Sequence, residues 1–323
     1  MPLLSRESLS RLVEAHAGTG GGAAMLTAEP ADPRGFGRIV RRSDGAVLRI
    51  VEQKDATPQE LALSEVNLGV YAFTGRDLVR HLPGLTNDNA QKEYYLTDVV
   101  GRLVAEQKRV AALVLADERE AIGVNTLVHL AEARSVLQHR VLEEHMLRGV
   151  WIEDPATTYI DWGVEIGART HVQPCSVIRS GVKIGEGCEV GPFAHLRSGT
   201  VLADGAAVGN FVETKNARFG PRAKAKHLAY VGDAELGEKV NIGAGTVFAN
   251  YDGKLKHRSI VEAGAFVGSG TVLVAPVKVG RGATTGAGAV VKRGSDIPAG
   301  ETWIGVPARK LDKSSGGAPG AAP

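Results

Sequence analysis

The chain has 323 residues, a formal charge of +2 and a hydrophobic fraction of 43%, with only 5% aromatics and 41 glycines. Such a length accommodates two domains with cores of their own, and scarce rings with abundant Gly favour small repeated turns over a large aromatic core. The near-neutral balance gives no electrostatic ground for nucleic acid or an anionic membrane as partner.

From the N-terminus, Gly18–Gly22 is Gly-rich. It lacks the strand–loop–helix context with a following Lys that would make a phosphate loop, so a flexible turn is expected. Ala46–Glu52, Val66–Phe73 and Val110–Leu115 predict strands, and Asp98–Gln107 predicts a helix. Together they suggest a mixed α/β domain over 1–124. From Leu127, the apolar residues Leu130, Ala133, Leu137 and Val141 follow helical spacing, which predicts a connecting helix within 125–149.

A different period then takes over. Stepping by six from Ile160 meets Ile166, Val172, Ile178, Ile184, Val190, Leu196, Leu202 and Val208, with mostly small residues four positions further on, such as Ser176, Cys188 and Ala206. The register breaks near Thr214, resumes with Tyr230, Leu236, Ile242 and Phe248, breaks at Tyr251–Lys256 and returns at Val261, Val267, Leu273 and Val279. Neither a helix nor a simple alternation holds such a period. Short strands joined by tight turns do, three to a triangular coil, with aliphatics stacked inside. The breaks are expected as surface loops of the kind that build binding faces. The β-helix is expected over 150–312, followed by a disordered tail over 313–323 rich in Ser, Gly, Ala and Pro. Cys175 and Cys188 show no metal or disulfide spacing and are expected as reduced core residues. No apolar run approaches the roughly 18 residues of a membrane span. No signal peptide is seen either, so a cytoplasmic enzyme fits.

Several segments are far more specific. They include Gly191–Arg197, Gly209–Lys215, Lys226–Asp233, Asn241–Thr246, Asn250–Gly253 and Val267–Ser269. In the first half, Gly35–Ile39, Val51–Ala56, Glu93–Asp98 and Gly123–Asn125 agree with them. Together they resemble the bacterial bifunctional family of UDP-N-acetylglucosamine pyrophosphorylase / glucosamine-1-phosphate N-acetyltransferase. The resemblance implies a partial Rossmann-like nucleotidyltransferase domain followed by a left-handed parallel β-helix of hexapeptide repeats. It also implies an acetyl-CoA-dependent N-acetyltransferase working as a homotrimer in UDP-N-acetylglucosamine biosynthesis. The sequence departs from the family pattern at its start, where the Gly-rich nucleotide loop ending in Gly-Thr-Arg-Met does not appear, and in a shorter first stretch of coils. The first departure predicts loss of uridylyltransferase activity, unless the true N-terminus lies upstream.

By the same resemblance, His227 falls on the general base. Arg197, Lys215, Tyr230, Asn241 and Lys256 fall on substrate positions, and Ala244, Asn250, Tyr251, Ser269 and Ala287 on acetyl-CoA positions. A neutral imidazole suits deprotonation of an amine before it attacks a thioester, and Arg and Lys suit a sugar phosphate. Gly37, Glu52, Asn67 and Asn125 match UDP-sugar positions, and Asn125 also a Mg²⁺ ligand that the family pairs with a carboxylate from the absent segment. Asn125 equally suits a cap on the connecting helix. A non-catalytic hexapeptide scaffold is the alternative of another class, and a different acceptor amine is a further one.

Overall fold

The computed structural model describes residues 1–311, and the expected tail lies outside them. The chain divides into two compact units, Met1–Leu137 and the residues from Gln138 on.

The first unit opens with α1 (Arg6–Ala17), capped by the Ser5 hydroxyl, which accepts from the Ser8 N–H at 3.0 Å. There follow β1 (Gly22–Ala28), β2 (Arg38–Arg41), β3 (Val47–Val51), the single helical turn α2 (Pro58–Leu61), β4 (Val66–Phe73), α3 (Gly75–His81), α4 (Asp98–Ala105) and β5 (Arg109–Val114). The five strands form one mixed sheet in the order β3-β2-β4-β1-β5, with β1 parallel to β5 and antiparallel to β4. Every residue of β1 is buried. Ala24, Leu26 and Ala28 pack with Leu12 of α1, while Ala23 and Met25 face clusters holding Val99, Val100 and Leu103 of α4. A strand covered on both faces must be apolar throughout, and this one is. Gly18–Gly22 is a turn into β1, as expected, and the last Gly is also sterically required. A Cβ on Gly22 would meet the Arg109 carbonyl oxygen at 2.2 Å.

The helix α5 runs from Leu127 to Leu147. Of its predicted inward residues Ala133 and Val141 are buried, whereas Leu130 is 50% exposed.

The second unit is a parallel β-helix with three faces. Inward columns are Ile160, Ile178, Leu196, Thr214, Val231, Phe248, Leu273 and Val291 on the first face, and Ile184, Leu202, Phe219, Leu236, Val261, Val279 and Ile297 on the second. Ile152, Val172, Val190, Val208, Ala225, Ile242, Val267 and Thr285 form the third. The interior hydroxyls pair with one another, as Thr200 with Thr214 at 2.9 Å and Thr271 with Thr285 at 3.0 Å. That satisfies groups that would otherwise be costly to bury.

Coil length carries the functional information. On the third face Glu189 pairs with Ala207 and Phe266 with Thr284, coils of 18 residues each (207 − 189, 284 − 266). Between them Ala207 pairs with Lys224 and Lys224 with Asn241, coils of 17 (224 − 207, 241 − 224), and Asn241 then pairs with Phe266 across 25 (266 − 241). The first register break is therefore not a loop. The chain stays in strand through Glu213–Phe219 and Tyr230–Leu236 and turns one corner a residue early. This shifts the register, so Val231 points inward at 0% exposure and Tyr230 faces out, half-buried, against expectation. The second break does leave as a loop, at that same corner, with Tyr251 bridged to Lys256 across it. Cys188 is buried as expected, but Cys175 occupies a left-handed corner (φ 59°) and is only partly covered.

Candidate active site on the β-helix

Parallel register fixes which residues lie above one another. Asn210 pairs with His227. Continuing the register of the next coils sets Ala244 over His227, then Ser269 and Ala287. Backbone bonds clamp the same column: Leu228 N–H to Asn210 O (3.0 Å), Gly270 N–H to Ala244 O (2.7 Å) and Gly288 N–H to Ser269 O (2.8 Å). Three of the residues matched to acetyl-CoA thus form a ladder of small side chains rising from His227. At the usual strand spacing it spans roughly 14 Å. His227 also lines a cleft of about 200 Å³ with Asn210, Gly191, Pro192, Gln173, Glu189 and Lys226. Its Nδ1 is 2.6 Å from Asn210 Oδ1. Asn241 sits half-buried on the third face, between Lys224 and Phe266 in register.

Around the irregular corner lies a second cluster. Arg197 and Lys215 follow one another in register, and Glu213 holds the Arg197 guanidinium at 2.6 Å. Lys256 stands beside Lys215. That contact and the positive charge of Lys256, then Arg197, push Lys215 below the ordinary lysine range. Like charges so placed destabilise one another until an anion joins them.

Next to the cations, Asn216, Asp233 and Asn250 stack in successive coils. Asp233 accepts from the Asn216 amide at 2.6 Å and from the Asn250 amide. Asn216 and Asp233 are left-handed (φ 47° and 48°), which the early corner demands and Asn and Asp tolerate. Gly232 is needed here for space. A Cβ on it would approach Tyr230 Oη to 2.5 Å and Asn250 Nδ2 to 2.8 Å, so Tyr230 and Asn250 meet over a bare backbone. Tyr251 begins the loop, its hydroxyl donating to Gly253 O at 2.7 Å. Asp252 anchors that loop by accepting from the Leu255 and Lys254 N–H groups (2.8 and 2.9 Å), His257 (2.6 Å) and Arg293 (3.2 Å). The two backbone bonds and His257 hold its carboxyl well below the usual range. Asn210, Asn216, Asp233 and Asp252 went unnoticed in the sequence. The signal was there, since 210 and 227, and likewise 216, 233 and 250, are separated by one short coil.

In the first unit the structure joins Gly37, Glu52 and Asn67. Asn67 N–H donates to Gly37 O at 2.8 Å, a Cβ on Gly37 would lie 3.3 Å from Glu52 Oε2, and Thr97 donates to Glu52 Oε1 at 3.1 Å. Tyr71 donates to Asn67 Oδ1 at 2.9 Å, and burial pushes its phenol up to about 12. Glu52 also borders a cleft of about 220 Å³ with Asp55, Asn89 and Asp98. Asn125 does not cap α5, because the Thr126 hydroxyl takes the His129 N–H (3.2 Å) and Asn125 N–H points to His129 Nδ1 (3.4 Å). No group of three or more His, Cys, Asp or Glu among the described residues could hold a metal ion.

The chain thus joins an α/β unit to a hexapeptide-type parallel β-helix that carries His227 at the foot of a ladder of small residues. Residues 3–152 match the nucleotidyl transferase family. The bifunctional protein GlmU of Trichlorobacter lovleyi is 45% identical over 331 residues, covering 92% of this chain and 72% of that protein. GlmU of Mycobacterium marinum is 42% identical over 345 residues, covering 96% and 70%. The chain belongs to this family of bifunctional GlmU enzymes. Among solved structures, a UDP-N-acetylglucosamine acyltransferase from Campylobacter jejuni aligns at 18% identity and a TM-score of 0.34, over 50% of this chain and 73% of that one. So loose a superposition identifies nothing by itself.

Proposed function

We propose that this chain transfers the acetyl group of acetyl-CoA to the 2-amino group of glucosamine-1-phosphate, on the route to UDP-N-acetylglucosamine for the cell envelope. The observation that carries the reading is the cation cluster Arg197, Lys215 and Lys256, on the same β-helix as the His227 ladder. Three cations answer a phosphate. Tyr230, Asn250 and Asn241 offer hydrogen-bonding groups suited to a sugar, and the ladder of Ala244, Ser269 and Ala287 leaves room for an extended acyl carrier. His227 takes the proton of the amine as its nitrogen attacks the thioester carbonyl, and the thiolate of CoA departs. A non-catalytic scaffold needs the aliphatic columns but none of these polar groups.

A second reading adds uridylyl transfer, favoured by the assembled Gly37–Glu52–Asn67 cluster. Mg²⁺ enters it only through a carboxylate brought to Asn125. On this division 1–124 is the uridylyltransferase-like part, 125–149 the connector and 150–312 the acetyltransferase, working as a cytoplasmic homotrimer. Among the described residues no helix is long and apolar enough to cross a membrane.

The test is CoA thiol release with glucosamine-1-phosphate and acetyl-CoA, for the chain and for His227→Ala. Sugar-dependent release that falls about a hundredfold or more in the variant supports the reading. No release from the folded chain overturns it.

A further inference from the structure

We infer that Asn210 is a positioning residue that selects the reactive tautomer of His227. The inference rests on the proposed role of His227 as base. An amide oxygen can only accept a hydrogen bond, so the 2.6 Å contact from Asn210 Oδ1 requires the proton on Nδ1 of a neutral imidazole. Nε2 then keeps its lone pair, the form a base needs.

The fold fixes this contact from both sides. Asn210 and His227 occupy the same place in successive coils, each just before a left-handed corner residue, Phe211 (φ 55°) and Leu228 (φ 51°). Leu228 N–H donates to the Asn210 carbonyl. Phe211 stacks on Phe193 of the coil below, ring centroids 5.1 Å apart, which braces the Asn210 corner.

No charged group does this work. The strands on either side, Ala207–Asn210 and Asn241–Ile242, carry no titratable residue. On its own strand stand Lys224 and Lys226, and Lys226 is paired at 2.6 Å with Glu189, the one carboxylate lining the cleft. A neutral orienter sets the tautomer without adding the charge that would hold the imidazole protonated. A carboxylate in its place would keep the tautomer but favour imidazolium.

The experiment uses the full chain. Nitrogen-15 NMR of His227 reads the tautomer, and CoA release across pH reads activity, for wild type, Asn210→Ala, Asn210→Asp and His227→Ala. The expected wild-type spectrum shows Nδ1–H. Asn210→Ala loses that preference and lowers kcat about 10–100-fold with KM little changed. Asn210→Asp moves the acid limb of kcat/KM upward by about one pH unit or more, because the base must be neutral to act. A wild-type Nε2–H tautomer overturns the inference without any variant, and so does an Asn210→Asp profile with its acid limb unmoved. Should Asn210→Ala not fold, the wild-type spectrum and the Asp variant decide. If His227→Ala keeps full rate, the base assignment fails, while the spectrum still judges the contact on its own.

Discussion

Lys215 is held at a working compromise. Its neighbours Lys256 and Arg197 lower its proton affinity, so its charge is full below the lowered pKa and disappears as pH rises through it. The KM for glucosamine-1-phosphate should therefore climb on the alkaline side earlier than an ordinary lysine would allow. In Lys256→Met, with the main repulsion removed, the climb should begin at higher pH. Initial rates against sugar phosphate across pH check this. An unchanged alkaline limb would mean that Lys215 does not meet the phosphate. The groups that only the structure brought out share one cause. A chain read in steps of six hides the column Asn216, Asp233 and Asn250, because a coil of 17 residues is not a multiple of that step. Likewise Asn210 lay inside a motif recognised for its similarity, yet its partnership with His227 is legible only once the coil length is known.

Among the elements, the corner loop and β1 teach opposite lessons. The loop at Tyr251–Lys256 was legible, because extra residues cannot enter a stacked core and must leave it. Its internal anchor was not. Asp252 takes four hydrogen bonds, and its depressed pKa keeps it ionised until the pH falls well below the ordinary carboxylate range. The loop order it supports is thus complete above that range and is lost only in strong acid. Asp252→Ala should raise the KM for the sugar phosphate roughly tenfold, since a small displacement of Lys256 suffices. Thermal melting should change little. Kinetics beside a melt separate the two, and a large fall in melting temperature with unchanged KM would show the anchor to be purely structural. A second prediction concerns Gly232→Ala. The new methyl group meets Tyr230 Oη and Asn250 Nδ2, so substrate KM should rise while the β-helix stays folded by circular dichroism. By contrast β1 went unread. Gly-Ala-Ala-Met-Leu-Thr-Ala is short on β-branched residues, and what makes it a strand is burial between α1 and α4, a tertiary effect that local propensity does not register.

Over the whole molecule, stability in the second unit is stored coil on coil. Phe248 is fully buried in the coil that bears the loop. Phe248→Ala should cost about 3–5 kcal/mol, read as a lower denaturant midpoint for the β-helix transition. A midpoint shift under about 1 kcal/mol would contradict so tight a core. The aliphatic period made this architecture readable from the chain before Thr214. After it, the step of six predicts Tyr230 inward whereas the structure turns it outward, because one skipped residue exchanges the inner and outer sets without breaking the strand.

The coil lengths carry one more consequence, for how such a chain can change. Between His171 and Ala207 the prism is built in laps of 18, and there it accepts a whole lap, gained or lost, since every later residue returns to its own meridian. The two laps of 17 do not share that freedom. Restoring the missing residue to either would slide Asn216, Asp233 and Asn250 out of line. The laps of 18 are interchangeable modules. The short pair, with its attached loop, behaves as a single indivisible part.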